Sequence, residues 1–152
     1  MSKYIFLDSG PLGLLVNPTP SPEVEAVMER IEELSHQGVQ FHVPAIIYYE
    51  IKREFLRAGK TRSIARLDGF IAQGHNRYVP LTDTALRLAA ELWAMKRQAG
   101  EPTAGSRNID ADIILAAQVL TFGAPAEELV VATTNPRHFT KLVEAKSLPD
   151  LL

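Results

Sequence analysis

The side chains of this sequence best suited to chemistry are carboxylates: Asp8, Glu50 and Asp112, with Asp110 beside the last and a neutral amide at Asn135. The chain has no cysteine, which removes disulfides, thiolate nucleophiles and the usual zinc cages and leaves oxygen atoms as the natural metal donors. Carboxylates gathered in one place repel one another unless a proton or a cation lies between them. A cluster of these acids is therefore expected to hold Mg2+ or Mn2+, which prefer oxygen ligands. Each acid also has a plainer structural role open to it. Asp8 suits a turn or a helix cap. Glu50 suits a helix surface, paired with Arg53 one turn on. Asp110 reads as an N-cap and Asp112 as a first-turn acid favoured by the helix macrodipole.

Cations come next. Lys52, Arg53, Arg57, Lys60, Arg62 and Arg66 follow Glu50, and Arg107 precedes Asp110. Phosphate binding needs such residues, with Arg53 favoured by its nearness to Glu50, although a charge run is also what a solvated face looks like. His138 has no partner that spacing identifies, so a structural role is expected for it.

The elements that must position these groups follow from local pattern. Tyr4–Leu7 is a short apolar run ended by Asp8-Ser9-Gly10-Pro11, a buried strand stopping at a turn. Ser21-Pro22-Glu23 opens a helix carried by Val24, Val27, Met28, Ile31 and Leu34 and closed by Gly38. Val39–Val43 is a second strand, and Ala45 to about Ala58 a helix. On that helix, at about 100° per residue, Glu50 falls between the directions of Ile46 and Ile47, which sets a charge beside an apolar face. A helix over Thr61–Gln73, a short strand over Arg77–Leu81 and a long helix from the Thr82-Asp83 cap to Ala99 come next. Gly100–Asn108 is a loop, Asp110–Thr121 a helix, Leu129–Ala132 a strand and Thr134-Asn135-Pro136 a turn.

Alternating strands and helices predict an α/β domain, a three-layer α/β/α arrangement with a mainly parallel central sheet of four to five strands. A chain of 152 residues, 46% hydrophobic, fits one domain spanning 1–152. In such sheets sites gather at the carboxyl ends of strands, so Asp8 and Asn135 share an edge if their strands run parallel and adjacent.

The order of these features is more specific than any one of them. Tyr4-Ile5-Phe6-Leu7-Asp8-Ser9, Val43-Pro44-Ala45 through Glu50, Asp112-Ile113-Ile114-Leu115-Ala116-Ala117, and Ala132-Thr133-Thr134-Asn135 with Phe139 following together resemble the PIN domain family. The likeness is to the ribonuclease toxins of VapBC-type toxin–antitoxin pairs in particular, and it covers nearly the whole chain. It implies a metal-dependent endoribonuclease whose catalytic residues are Asp8, Glu50, Asp112 and Asn135. Asp8 and Asp112 would bind Mg2+ or Mn2+ directly, Glu50 directly or through water, and Asn135 would orient a water or phosphate. Ser9 and Thr133 would support the ligands, and Arg53 and Arg107 would contact RNA. The partners implied are an RNA substrate, a small antitoxin and a second copy in a homodimer. Two positions depart from the family pattern: Gly10 stands where a small polar residue is usual, and Asn135 leaves the site one charge weaker, adequate for one metal ion.

The alternative is a catalytically weak or inactive PIN-like domain that binds RNA or acts as a scaffold. A phosphatase using Asp8 as nucleophile is disfavoured, because Gly10 stands where the commonest such pattern has a second aspartate. A formal charge of −2 excludes a whole-molecule basic field, so nucleic-acid binding would need a local patch. With no long apolar run, a soluble cytoplasmic protein without a membrane segment is expected.

Overall fold

A computed structural model describes residues 2–100 and 109–150. Strand β1 (Tyr4–Leu7) lies at the centre of a five-stranded sheet, between β2 (Gln40–Pro44) and β4 (Leu129–Ala132). The edges are β3 (Tyr78–Val79), beside β2, and β5 (Ala145–Lys146), beside β4; every pairing is parallel. Ile5, Phe6 and Leu7 and all of β4 are buried, as a parallel sheet covered on both faces requires.

Among the described residues the six α-helices are α1 (Ser9–Leu15), α2 (Pro22–His36), α3 (Ala45–Arg57), α4 (Thr61–Gln73), α5 (Asp83–Gln98) and α6 (Ile109–Leu120). Those from α1 to α4 belong to crossovers running one way along the sheet, and α5 and α6 to the crossover running the other way. Right-handed connections place these two groups on opposite faces, giving three layers. The direction changes between β1 and β4, where an open α/β sheet leaves a crevice at its carboxyl edge.

The differences from the sequence expectations are local. Asp8 to Pro11 is not a plain turn: Asp8 caps α1, which starts at Ser9 and takes Pro11 within its first turn, where a missing N–H costs nothing. Asp110 is not an N-cap, because α6 begins one residue earlier at Ile109 and takes Asp110 into its exposed first turn. The third strand contracts to Tyr78–Val79, and β5 joins the sheet through a segment too short to show a period. Most of the expected loop over 100–108, with Arg107, lies outside the described residues.

One buried side chain ties the site's helices together. Gln118 of α6 is 1% exposed; its Oε1 accepts from the Ile46 N–H at 3.2 Å, and its Nε2 donates to the Val79 carbonyl at 2.9 Å and the Pro80 carbonyl at 3.2 Å. The residue capping α3 is Pro44, which offers no side-chain acceptor, so Gln118 supplies the one the helix start needs.

Candidate active site

Asp8 stands at the end of β1 because the strand register demands it. Leu7 pairs with Ala132, so Asp8 and Thr133 leave the sheet side by side at one edge. The Asp8 N–H still donates to the Ala132 carbonyl at 2.9 Å. Both oxygens of its carboxylate are engaged: Oδ1 accepts from the Ser9 N–H at 2.8 Å, and Oδ2 from the Thr133 hydroxyl at 2.7 Å. Thr133 is buried, and its Oγ1 in turn accepts from the Asn135 N–H at 3.1 Å. Ser9 and Thr133 thus both donate to Asp8, Ser9 through its backbone N–H and Thr133 through its hydroxyl.

Glu50 reaches the same edge from α3. It is half-buried, and its proton affinity is raised first by burial and then by the charge of Asp8, against a smaller opposing effect of Arg53. Asp112 comes from the first turn of α6. Burial, followed by the charges of Asp8 and then Glu50, pushes its carboxyl up to about 7. Acids from one strand and two helices therefore lie within one another's fields. Among the described residues, no three acidic or imidazole side chains close to the spacing that would enclose an ion. Their oxygen donors and mutual repulsion suit a hard divalent cation, whose charge would offset the cost of holding them together.

His138, expected to be structural, belongs to this group. Its Nδ1 lies 3.3 Å from Asp112 Oδ2, and its Nε2 lies 2.7 Å from Asn135 Nδ2. The signal for it was local: Asn135 caps one turn of 3₁₀ helix, Pro136–Phe139, that contains His138, and residues three apart along such a turn eclipse. Asn135 therefore turns its amide to the imidazole. Gly10 has its own reason. A Cβ there would come within 2.8 Å of Thr134 Cγ2 and 3.0 Å of its Oγ1, so the threonine occupies the space of a side chain at position 10.

Of the basic run, Lys52 pairs with Asp68 at 3.2 Å and Arg57 with Glu54 at 2.9 Å. Arg53 is exposed, with its guanidinium 5.0 Å above the Tyr49 ring. Lys60, Arg62 and Arg66 are exposed on and before α4, further along the chain than Arg53.

The fold and the site define an α/β domain with acidic residues at the switch point of a parallel sheet, a three-layer fold of the PIN type. No protein-family model matches the chain, and no curated protein matches it by sequence. Solved structures do. A chain of VapBC2 from Rickettsia felis, bound to a DNA fragment from their promoter, superposes with a TM-score of 0.71 at 15% identity, over 95% of this chain and 98% of that one. FitAcB from Neisseria gonorrhoeae matches with a TM-score of 0.69 at 20% identity, over 97% and 99%. DNA-bound VapBC from Salmonella typhimurium matches with 0.65 at 18%, over 97% and 99%. At these identities the likeness is one of fold, and it extends along essentially the whole chain. No helix among the described residues is long and apolar enough to cross a membrane.

Proposed function

We propose that this chain is a metal-dependent endoribonuclease, the toxin of a toxin–antitoxin pair. The observation that carries the reading is the meeting of Asp8, Glu50 and Asp112 at the switch point, close enough for Asp8 and Glu50 to help push the Asp112 carboxyl up to about 7. Asp8 and Asp112 would hold Mg2+ or Mn2+ directly and Glu50 directly or through water; such an ion, when bound, polarises the scissile phosphate and lowers the pKa of an attacking water. Ser9 and Thr133 keep the Asp8 carboxylate oriented. Glu50 would complete the oxygen donor set from α3. Asn135 orients His138, and Arg53 offers a guanidinium to the RNA backbone, with Arg107 as a second cation. Solved structures of this fold include VapBC pairs, which supports a small antitoxin as partner; RNA as substrate and a homodimer rest on the sequence resemblance.

A second reading, an RNA-binding scaffold without turnover, is favoured by one observation: no three acidic or imidazole side chains among the described residues close around a point. The test is to incubate the purified chain with single-stranded RNA and Mn2+ or Mg2+, with and without chelator, beside Asp112→Asn. The nuclease reading expects chelator-sensitive cleavage that falls by about 100-fold or more in the variant. Equal cleavage by both proteins would place the chemistry elsewhere. Binding without cleavage by either supports the scaffold.

A further inference from the structure

The segment from Thr133 to His138 reaches both aspartates of the site, along two paths that start at one residue. The backbone N–H of Asn135 donates to Thr133 Oγ1 at 3.1 Å, and the Thr133 hydroxyl donates to Asp8 Oδ2 at 2.7 Å. The side-chain Nδ2 of Asn135 lies 2.7 Å from His138 Nε2, and His138 Nδ1 lies 3.3 Å from Asp112 Oδ2.

We propose that His138 is a positioning residue for Asp112, and that Asn135 sets its tautomer, holding a neutral imidazole with its proton on Nδ1 and turned to the Asp112 carboxylate. The argument is one of donor and acceptor inventory. An amide nitrogen only donates, so Nε2 must accept; a neutral ring that accepts at Nε2 carries its proton on Nδ1. That proton then faces a carboxylate oxygen, where the opposite tautomer would set a lone pair against it. His138 lies on the turn after β4, packed through its neighbour Phe139, which is fully buried, so the ring approaches Asp112 from a fixed base.

The same inventory explains a neutral residue at 135. An aspartate there would preserve the backbone path to Asp8 but could only accept at its side chain. Nε2 would then have to carry a proton, and a neutral ring would lose the one facing Asp112. Asn135 thus acts through His138, as the residue that decides which nitrogen is protonated.

The consequence for a cation rests on the nuclease reading; the tautomer does not. Two measurements on the full chain separate them. Nitrogen-15 imidazole spectra of the metal-free protein at pH 8, with His138 assigned by its loss in His138→Asn, are expected to show the proton on Nδ1 alone. In Asn135→Asp the proton moves to Nε2 or both nitrogens carry one. A wild-type ring protonated on Nε2, alone or together with Nδ1, overturns the assignment. Calorimetric Mn2+ titration is expected to show binding weakened about 10-fold in His138→Ala, but within about 3-fold of wild type in His138→Asn, whose amide keeps an N–H donor where Nδ1 was. Equal affinity in all three proteins overturns the positioning role. Absence of Mn2+ binding by the wild type overturns the nuclease reading and the cation consequence together, and the spectra still decide the tautomer.

Discussion

Asp112 carries the largest electrostatic tension in the site, and its sign has a direct consequence. Its carboxyl ionises near 3.8 when unperturbed and at about 7 in the folded chain, raised by burial, then by Asp8, then by Glu50. Between those pH values the folded chain binds a proton that the unfolded chain does not, so this group's stabilising contribution is complete below the lower value and disappears as pH rises through the upper one. Without divalent metal, Asp112→Asn is expected to melt a few degrees above wild type at pH 8, about 1 kcal/mol once solvent screening is discounted. The two should coincide near pH 3, where the wild-type group is protonated in the folded and unfolded chains alike. Adding Mn2+ should reverse the order at pH 8, because the variant lacks the charge the cation would bind. Thermal melts at the two pH values check all three outcomes. Glu50 is displaced in the same direction for the same leading reason, so its neutral variant should act alike, more weakly.

At the scale of elements, Gln118 holds together the two helices that bear Glu50 and Asp112. Replacing it with alanine leaves the Ile46 N–H and the Val79 and Pro80 carbonyls without their partner in a part-buried place. The expected loss is about 2–4 kcal/mol, read as a lower urea midpoint. Gly10 concerns the contact of α1 with the loop after β4. Gly10→Ala alone pits the better helix propensity of alanine against a Cβ within 2.8 Å of Thr134 Cγ2. In a double-mutant cycle with Thr134→Ala, which removes the obstructing atoms, the alanine at 10 should become stabilising by about 0.5–1 kcal/mol. A value unchanged by the threonine substitution would mean that the close approach is without energetic effect.

At the scale of the whole molecule, the acidic site is a product of topology. β1 lies between β2 and β4, and the chain reverses its direction of travel across the sheet at β1 and β4. Two strand ends and two helices thereby converge on one edge, while the net charge of −2 leaves no global field to draw in a polyanion. A cation bound only by the folded chain must stabilise all of it. Mn2+ at about 100 times its dissociation constant should add about 2.7 kcal/mol, seen as a rise in melting temperature that chelator reverses and Asp8→Asn abolishes. An unchanged melting temperature with Mn2+ would count against the site as a metal centre.

Sequence alone determined the α/β class, the central strands and five of the six helices, because each rests on local chemistry: apolar runs in Tyr4–Leu7 and Leu129–Ala132, the Ser21 and Thr82 caps, and the helical period of α3. Asp8, Glu50, Asp112 and Asn135 were legible as candidates from their places relative to those elements. The tertiary structure alone decided that Asp8 starts α1 instead of ending in a turn, that a two-residue β5 closes one edge, and that Gln118 braces α3. It also set His138 against Asp112. These features depend on which strands are neighbours and on pairings between residues far apart in the chain, which no local period encodes. The carboxylate candidates and Asn135 came from the order of motifs and the family resemblance, whereas the approach of His138 to Asp112 became visible only in the folded chain.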